Sequence, residues 1–86
     1  MELQWTAKAL KEISKFPKAV TDRIFSKMEW YSEQEDPLEF AEPLTNFLVG
    51  SHRFRIGSYR VFCKIIAGKI SIILVTTVRK RDHAYD

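Results

Sequence analysis

The stretch between residues 52 and 62 carries the side chains best suited to chemistry. Apolar and basic residues alternate on both sides of Gly57-Ser58, as in a strand whose two faces differ. A two-residue loop that opens with glycine favours a type II′ hairpin turn, because only its first central residue needs a positive φ. Such a loop predicts four cross-strand pairs: Ile56–Tyr59, Arg55–Arg60, Phe54–Val61 and Arg53–Phe62.

The predicted hairpin places Arg53, Arg55 and Arg60 together on one face. The other face carries the apolar side chains of Phe54, Ile56, Tyr59 and Val61. Like charges opposed on neighbouring strands destabilise a sheet by a few tenths of a kcal/mol up to about 1 kcal/mol. Folding alone gives no reason for this arrangement. A solvated face with splayed arginines is one interpretation, but three arginines on one small face favour a binding site for a polyanion.

A cluster of guanidinium groups near a phenol suits phosphodiester cleavage without a metal ion. In RNA, the 2′-OH attacks the neighbouring phosphate, and arginines can neutralise the charge that grows on the phosphoryl oxygens. DNA lacks this hydroxyl, so the chemistry favours RNA. Arginine stays protonated and is a poor general base, so proton transfer is the weak element of this chemistry. We expect no cofactor and no metal, because two histidines and the single cysteine, Cys63, do not make a zinc site.

The 86 residues are expected to form one domain, residues 1–86. Residues 1–42 carry a net charge of −3 and residues 43–86 a net charge of +6, which favours an acidic partner for the strand-rich half. Cys63 lies in an apolar strand and is expected to fill the core. A lone cysteine fits a reducing cytoplasm, and we expect no membrane segment or signal peptide.

The first elements are a short strand and a helix. Leu3 and Trp5 alternate with polar residues, as in a strand. Thr6 is a suitable N-cap for a helix over residues 7–16. That helix is expected to end at Phe16-Pro17, because the residue before proline is pushed out of the α region.

A second helix is predicted over about 18–34, close enough to the first to form an antiparallel hairpin. Apolar residues at helical spacing predict the buried stripes: Ala7, Leu10 and Ile13 in the first helix, and Val20, Ile24, Met28 and Tyr31 in the second. A surface loop punctuated by Pro37 and Pro43 then leads to about Gly50.

After the hairpin strand 59–66, a turn near Ala67-Gly68 predicts a final strand that includes Arg79. If the turn has two residues, Arg60 pairs with Val75, and Thr77 and Arg79 lie on the face of Arg60. An odd number of additional loop residues would reverse the faces. The parity therefore places Arg79 with the other arginines, whereas His52 alternates onto the core side as a structural residue.

The chain resembles the RelE/ParE superfamily of bacterial toxins. The resemblance rests on Trp5-Thr-x-Lys8-Ala-Leu10-Lys-Glu-Ile13, on Arg53-x-Arg55-x-Gly57-x-Tyr59-Arg60-Val, on Ile72-Ile-Leu74 and on the closing basic segment with Tyr85. It implies a RelE-like α+β fold of order β-α-α-β-β-β, with a mainly antiparallel sheet and a two-helix hairpin packed on one face.

The RelE-like branch implies a toxin of a type II toxin–antitoxin system that cuts mRNA in the ribosomal A site. Its expected partners are the ribosome, mRNA and a cognate antitoxin that neutralises it in a hetero-oligomer. The implied catalytic residues are Arg53, Arg55, Arg60, Arg79 and Tyr85. The neighbouring residues expected to bind RNA are Lys80, Arg81 and His83. Where the family often has lysines, this chain has arginines, which leaves the general base open. His83 and Lys80 lie close enough in sequence to be candidate bases.

Two other hypotheses are compatible with the same resemblance. A ParE-like toxin would inhibit DNA gyrase by protein binding and cleave no RNA. Such chains generally lack the full set of basic residues with the terminal tyrosine, so the set in this chain favours RNA cleavage. The third hypothesis is an inactive toxin that still binds its antitoxin.

Overall fold

The computed structural model describes residues 1–45, 48 and 50–81. Its elements follow in this order: β1 (Glu2–Trp5), α1 (Ala7–Ile13), α2 (Lys18–Glu33), a 3₁₀ helix (Pro37–Phe40), β2 (Glu42–Pro43), β3 (His52–Ile56), β4 (Tyr59–Ile66) and β5 (Ile72–Lys80). The strands form one sheet in the order β1-β5-β4-β3-β2. Only the β1–β5 pair among these strands is parallel. The expected α+β fold is confirmed, with the two-residue strand β2 as an addition.

The core lies between the two helices and one face of the sheet. Its buried members are Ala9, Ile13, Ile24, Met28, Tyr31, Phe54, Ile56, Val61, Cys63, Ile73, Val75 and Val78. The ring of Tyr31 on α2 stacks on that of Phe54 on β3, with centroids 5.0 Å apart. None of the described helices is long and apolar enough to cross a membrane.

Helix α1 begins as predicted but ends early. The Thr6 side chain accepts a hydrogen bond from the Ala9 amide at 3.1 Å, as an N-cap does. After Ile13 the backbone makes i→i−3 bonds, which tighten the end of the helix into a 3₁₀-type turn. The buried residues of this short helix are Ala9 and Ile13. Ala7 and Leu10 are exposed, so their predicted burial is wrong. In α2 the predicted stripe is confirmed at Ile24, Met28 and Tyr31, and Val20 is half-buried.

The register of the β3–β4 hairpin is the predicted one. All four predicted pairs occur, and His52 faces Cys63 at the start of β3. Gly57 has a φ of 58°, and no described residue other than glycine has a positive φ. This combination fits the expected turn, in which only the first central residue is left-handed.

The connection between β4 and β5 differs from the prediction. Residues 67–71 join the strands, so the two-residue turn at Ala67-Gly68 is wrong and Arg60 does not pair with Val75. The longer loop places Val75 in the core. A bulge at Thr76, opposite Phe62 and Cys63, shifts the register once more. Arg79 therefore lies directly opposite Arg60, on the predicted face.

β1 pairs with β5 only as far as Trp5 and Val75. Beyond that pair, Glu12 on α1 forms hydrogen bonds with the edge of β5. One carboxylate oxygen accepts the Thr77 hydroxyl at 2.7 Å and the Val78 amide at 3.2 Å. Burial alone would raise the pKa of the Glu12 carboxyl. The hydrogen bonds from Thr77 and Val78, with Lys8 nearby, outweigh burial and lower it. The ionised form is thus the one that stabilises the fold.

We expect Glu12→Ala to lower the free energy of unfolding at pH 7 by about 1–3 kcal/mol, because the Val78 amide loses its partner. The folded-state pKa lies below the ordinary value of 4.5, so the stabilisation is present above that value and is lost as pH falls through the folded-state pKa. Urea denaturation at pH 7 and at pH 3 measures this: the gap between wild type and variant should narrow in acid. Glu29→Ala, on the exposed part of α2, is the control and should change little at either pH. An equal gap at both pH values would contradict the role of the ionised carboxylate.

Gly50 lets the chain that enters β3 pass close to β4. A Cβ at residue 50 would lie 2.5 Å from the carbonyl oxygen of Cys63. The same oxygen accepts the Ser51 amide at 2.8 Å. A side chain at residue 50 would therefore push the start of β3 away from its partner strand.

We expect Gly50→Ala to lower the free energy of unfolding by about 1–3 kcal/mol, since backbone must move to admit the methyl group. Gly68→Ala is the matched control, because its Cβ would meet no atom closer than 3.7 Å. That change should stay within about 1 kcal/mol of wild type. Urea denaturation of both variants tests the difference, and equal stabilities would show that Gly50 is not needed for the close approach.

Candidate functional site

Four arginines converge on the side of the sheet opposite the helices. Arg55, Arg60 and Arg79 occupy directly opposed positions on β3, β4 and β5, and Arg53 lies two residues before Arg55. Neighbouring strands are about 4.8 Å apart, so three rows of guanidinium-bearing side chains span about 10 Å. We refer to Arg53, Arg55, Arg60 and Arg79 as the arginine face.

Glu42 supplies a counter-charge at one border of this face. It lies opposite Arg53 on the edge strand β2. Its Oε2 accepts a hydrogen bond from Arg53 Nη2 at 2.5 Å, and its Oε1 pairs with Arg55 Nε at 2.8 Å. One carboxylate thus holds two arginines in fixed orientations. Sequence reasoning missed Glu42, because an isolated glutamate beside Pro43 gives no signal that it pairs with residues 11 and 13 positions later.

The charges of the arginine face shift two pKa values. The hydrogen bond from Arg53 lowers the pKa of the Glu42 carboxyl. Loss of solvation opposes this effect, and the charges of Arg53 and Arg55 lower the pKa further. Loss of solvation lowers the pKa of the Arg60 guanidinium, and repulsion from the charges of Arg53, Arg55 and Arg81 adds to the effect. Arginine nevertheless remains protonated at neutral pH. The face is therefore cationic, with one fixed carboxylate.

The arginine face also covers an aromatic ring. Phe62 lies on the same side of β4 as Arg60 and is buried. The Arg79 guanidinium carbon lies 5.5 Å from the centroid of this ring, within the range of a cation–π contact. The contact orients Arg79. The predicted pairing of Phe62 with Arg53 already placed this ring on the arginine face, but its role under Arg79 depends on the β4–β5 register.

Of the remaining sequence-predicted residues, Lys80 and Arg81 lie at the end of the sheet next to this ladder, and the charge of Arg81 acts on Arg60. Lys80 pairs with Tyr59 on the helix-facing side of the sheet, at its end. The Arg81 amide donates to the carbonyl of Ser58, which places Arg81 beside the hairpin turn. Tyr85 and His83 lie outside the described residues.

The other candidate nucleophiles and ligands belong to the fold. Cys63 is fully buried, and burial raises the pKa of its thiol to about 12, so it is a core residue rather than a thiolate nucleophile. His52 Nδ1 lies 3.0 Å from Ser51 Oγ. Within the described ranges, no group of three or more His, Cys, Asp or Glu side chains is placed to hold a metal ion.

We expect Glu42→Gln to tighten binding to polyanions, because it removes the only carboxylate that pairs with Arg53 and Arg55 in the described part of the chain. The variant should elute from heparin at higher salt than wild type. Glu39→Gln changes the net charge equally, at an exposed position that forms no ion pair with an arginine among the described residues, and should shift elution less. Equal shifts would show that overall charge, not the local pairing, controls binding.

The fold and the arginine face can now be compared with known proteins. A family model described as the ParE toxin of the type II toxin–antitoxin system parDE matches residues 3–85. Among solved structures, the chain is similar to the toxin–antitoxin complex RelBE2 of Mycobacterium tuberculosis, with a TM-score of 0.73 and 21% identity over 93% of this chain and 96% of that one. This likeness concerns the fold. No curated protein sequence matches the chain. Because the family model covers nearly the whole sequence, the protein belongs to the ParE toxin family, within the RelE/ParE superfamily of type II toxin–antitoxin toxins.

Proposed function

We propose that this toxin is a metal-free endoribonuclease that cleaves mRNA in the ribosomal A site and so inhibits translation. The observation that carries the proposal is the opposition of Arg60 and Arg79 on adjacent strands, with Arg55 in the next row. Opposed guanidinium groups are costly for folding, and they match the anionic oxygens of a phosphodiester.

The ladder of opposed arginines can stabilise the transition state of RNA cleavage. As the 2′-OH attacks phosphorus, negative charge grows on the two non-bridging oxygens and on the departing 5′-oxygen. Arg60 and Arg79 project from neighbouring strands and can donate to these oxygens from two directions. Tyr85 is proposed to engage the base or sugar beside the cut.

The other two arginines are proposed to bind and steer the RNA. Arg55 is half exposed and keeps donors beyond the one that meets Glu42. Arg53 is the less accessible of the pair, with a side chain 19% exposed, so its part is to hold Glu42 and Arg55 in place. Lys80, Arg81 and His83 are proposed to contact the RNA beyond the cut.

The toxin is expected to work with a cognate antitoxin. The RelBE2 structure is itself a toxin–antitoxin complex, and membership of a type II toxin family supports such a partner. We propose that the antitoxin covers the arginine face with acidic side chains and forms a hetero-oligomer in the cytoplasm. Acidic groups there would occupy the positions of the RNA phosphates.

The second candidate function is inhibition of DNA gyrase by protein binding, without RNA cleavage. The specific observation in its favour is the match to the ParE family model over residues 3–85. On this hypothesis the arginine face would contact an acidic protein surface. The two functions make different demands on Arg60 and Arg79, since only cleavage needs both on one phosphate.

We expect Arg60→Ala and Arg79→Ala each to reduce RNA cleavage at least about 100-fold and to relieve growth arrest, by analogy with the loss of one donor from a preorganised site. Toxin induction in a bacterium, followed by primer extension on a translated message, measures cleavage. Wild type should cut this message and spare the same message without a start codon.

Lys15→Ala removes an exposed charge on the helical side and should keep full toxicity. Undiminished toxicity of both arginine variants would contradict the cleavage mechanism. Growth arrest without cuts, relieved by a resistant gyrase, would instead support the second candidate function.

A further inference from the structure

A second basic feature lies on the same side of the sheet as the arginine face. Lys64 follows Arg60 by four residues on β4, and residues at i and i+4 of a strand share a face. Lys64 lines a cavity of about 210 Å³ together with Lys8, Thr76, Thr77 and Leu48. We refer to the space between Lys8, Lys64, Thr76 and Thr77 as the lysine cavity.

The junction between β1 and α1 sets the position of Lys8 in this cavity. The Thr6 amide donates to the Val75 carbonyl at 3.0 Å, and its hydroxyl donates to the Thr76 carbonyl at 3.2 Å. These bonds fix the start of α1 against the bulge in β5. Lys8 is the second residue of α1, and it lines the cavity together with Thr76 and Thr77.

The charge of the lysine cavity is positive in spite of Glu12. The Glu12 carboxylate lies 3.5 Å from Lys8 Nζ. It also accepts the Thr77 hydroxyl at 2.7 and 2.9 Å and the Val78 amide. Its charge is therefore shared among several donors, and the two lysines outnumber it. The Lys8 side chain is 64% exposed, which leaves it open to an incoming anion.

One small anion does not span the distance along β4 between Arg60, at the proposed scissile phosphate, and Lys64. Arg60 and Lys64 are four strand residues apart, or about 13 Å at about 3.3 Å per residue. Phe62 lies between them on β4 and is only 8% exposed. Arg53 lies opposite Phe62 on β3, but its charge is matched by the carboxylate of Glu42. A ligand that reaches both must be a chain of anionic groups. At about 3.4 Å per phosphate in a stacked strand, the gap corresponds to about four nucleotides.

We propose that the lysine cavity binds a second phosphate of the RNA strand whose scissile phosphate lies on the arginine face, an inference that rests on the proposed function. Its volume equals that of several water molecules at about 30 Å³ each, enough for a phosphate group. The threonine hydroxyls already donate within the protein, so the lysine ammonium groups are the anion's donors. The site sets a minimum length for tightly bound RNA.

The experiment compares Lys8→Gln/Lys64→Gln with wild type in binding to two fluorescent, 2′-O-methylated RNAs that cannot be cleaved. One is a ten-nucleotide strand and the other a dinucleotide, which is too short to span the two features. For the longer strand we expect a five- to tenfold loss of affinity and a salt slope reduced by about 1. Affinity for the dinucleotide should not change.

Lys11→Gln/Lys15→Gln removes the same charge from exposed positions outside the cavity and should weaken binding less than twofold. Lys64→Gln alone, on an exposed strand position, should show part of the loss without altering α1. Equal losses in the lysine-cavity and control variants, or equal losses for both RNA lengths, would overturn the second phosphate site. Failure of wild type to bind the ten-nucleotide RNA would also overturn the second phosphate site, whereas the proposed cleavage function is judged separately by primer extension on the translated message.

Discussion

Repulsion among Arg55, Arg60 and Arg79 is the constraint around which this small sheet is built. Each opposed pair costs a few tenths of a kcal/mol to about 1 kcal/mol. The adjacent rung on the other face is Phe54–Val61–Val78, and all three side chains are buried in the core. Burial of each such side chain contributes about 1.5–3 kcal/mol. The apolar rung therefore outweighs the charged one, and the helices that cover it allow the arginines to stay together.

Glu42 organises the arginine face more than it stabilises the fold. Ion pairs at exposed positions contribute only about 0.2–1 kcal/mol, and Glu42 is about half exposed. Its effect is geometric, since it joins the short edge strand β2 to two side chains of β3. Arg53 Nε is buried and makes no hydrogen bond within the described residues. The guanidinium is therefore oriented by the hydrogen bond from its Nη2 to Glu42. Arg55 and Arg79 are the exposed members of the ladder, and Arg60 between them is partly buried.

Local rules made the hairpin predictable and left the rest of the site open. The Gly57-Ser58 turn and strict alternation determine the β3–β4 pairs, because a two-residue loop leaves one register. The β4–β5 register instead depends on a longer loop and on the Thr76 bulge beside the Thr6 junction, 70 residues earlier. The predicted face of Arg79 is confirmed, although the predicted pairing of Arg60 with Val75 is wrong. The longer loop and the Thr76 bulge each reverse the face of the residues that follow, so together they restore it. Glu42 and Glu12 act through contacts distant in sequence, which periodicity does not report.

The chemistry of the arginine face is consistent with the proposed action on a message held by the ribosome. Arginine does not accept a proton at neutral pH. Glu42 is ionised, but two arginines lower its pKa and make it a weak base. The described part of the face thus contributes charge stabilisation, worth about 2.7–4 kcal/mol per well-placed donor. The remaining acceleration must come largely from alignment of the 2′-OH with the phosphate, and fixed orientation can supply about 7–11 kcal/mol. A face that supplies only charge stabilisation therefore suits an RNA strand whose conformation is already fixed by the ribosome.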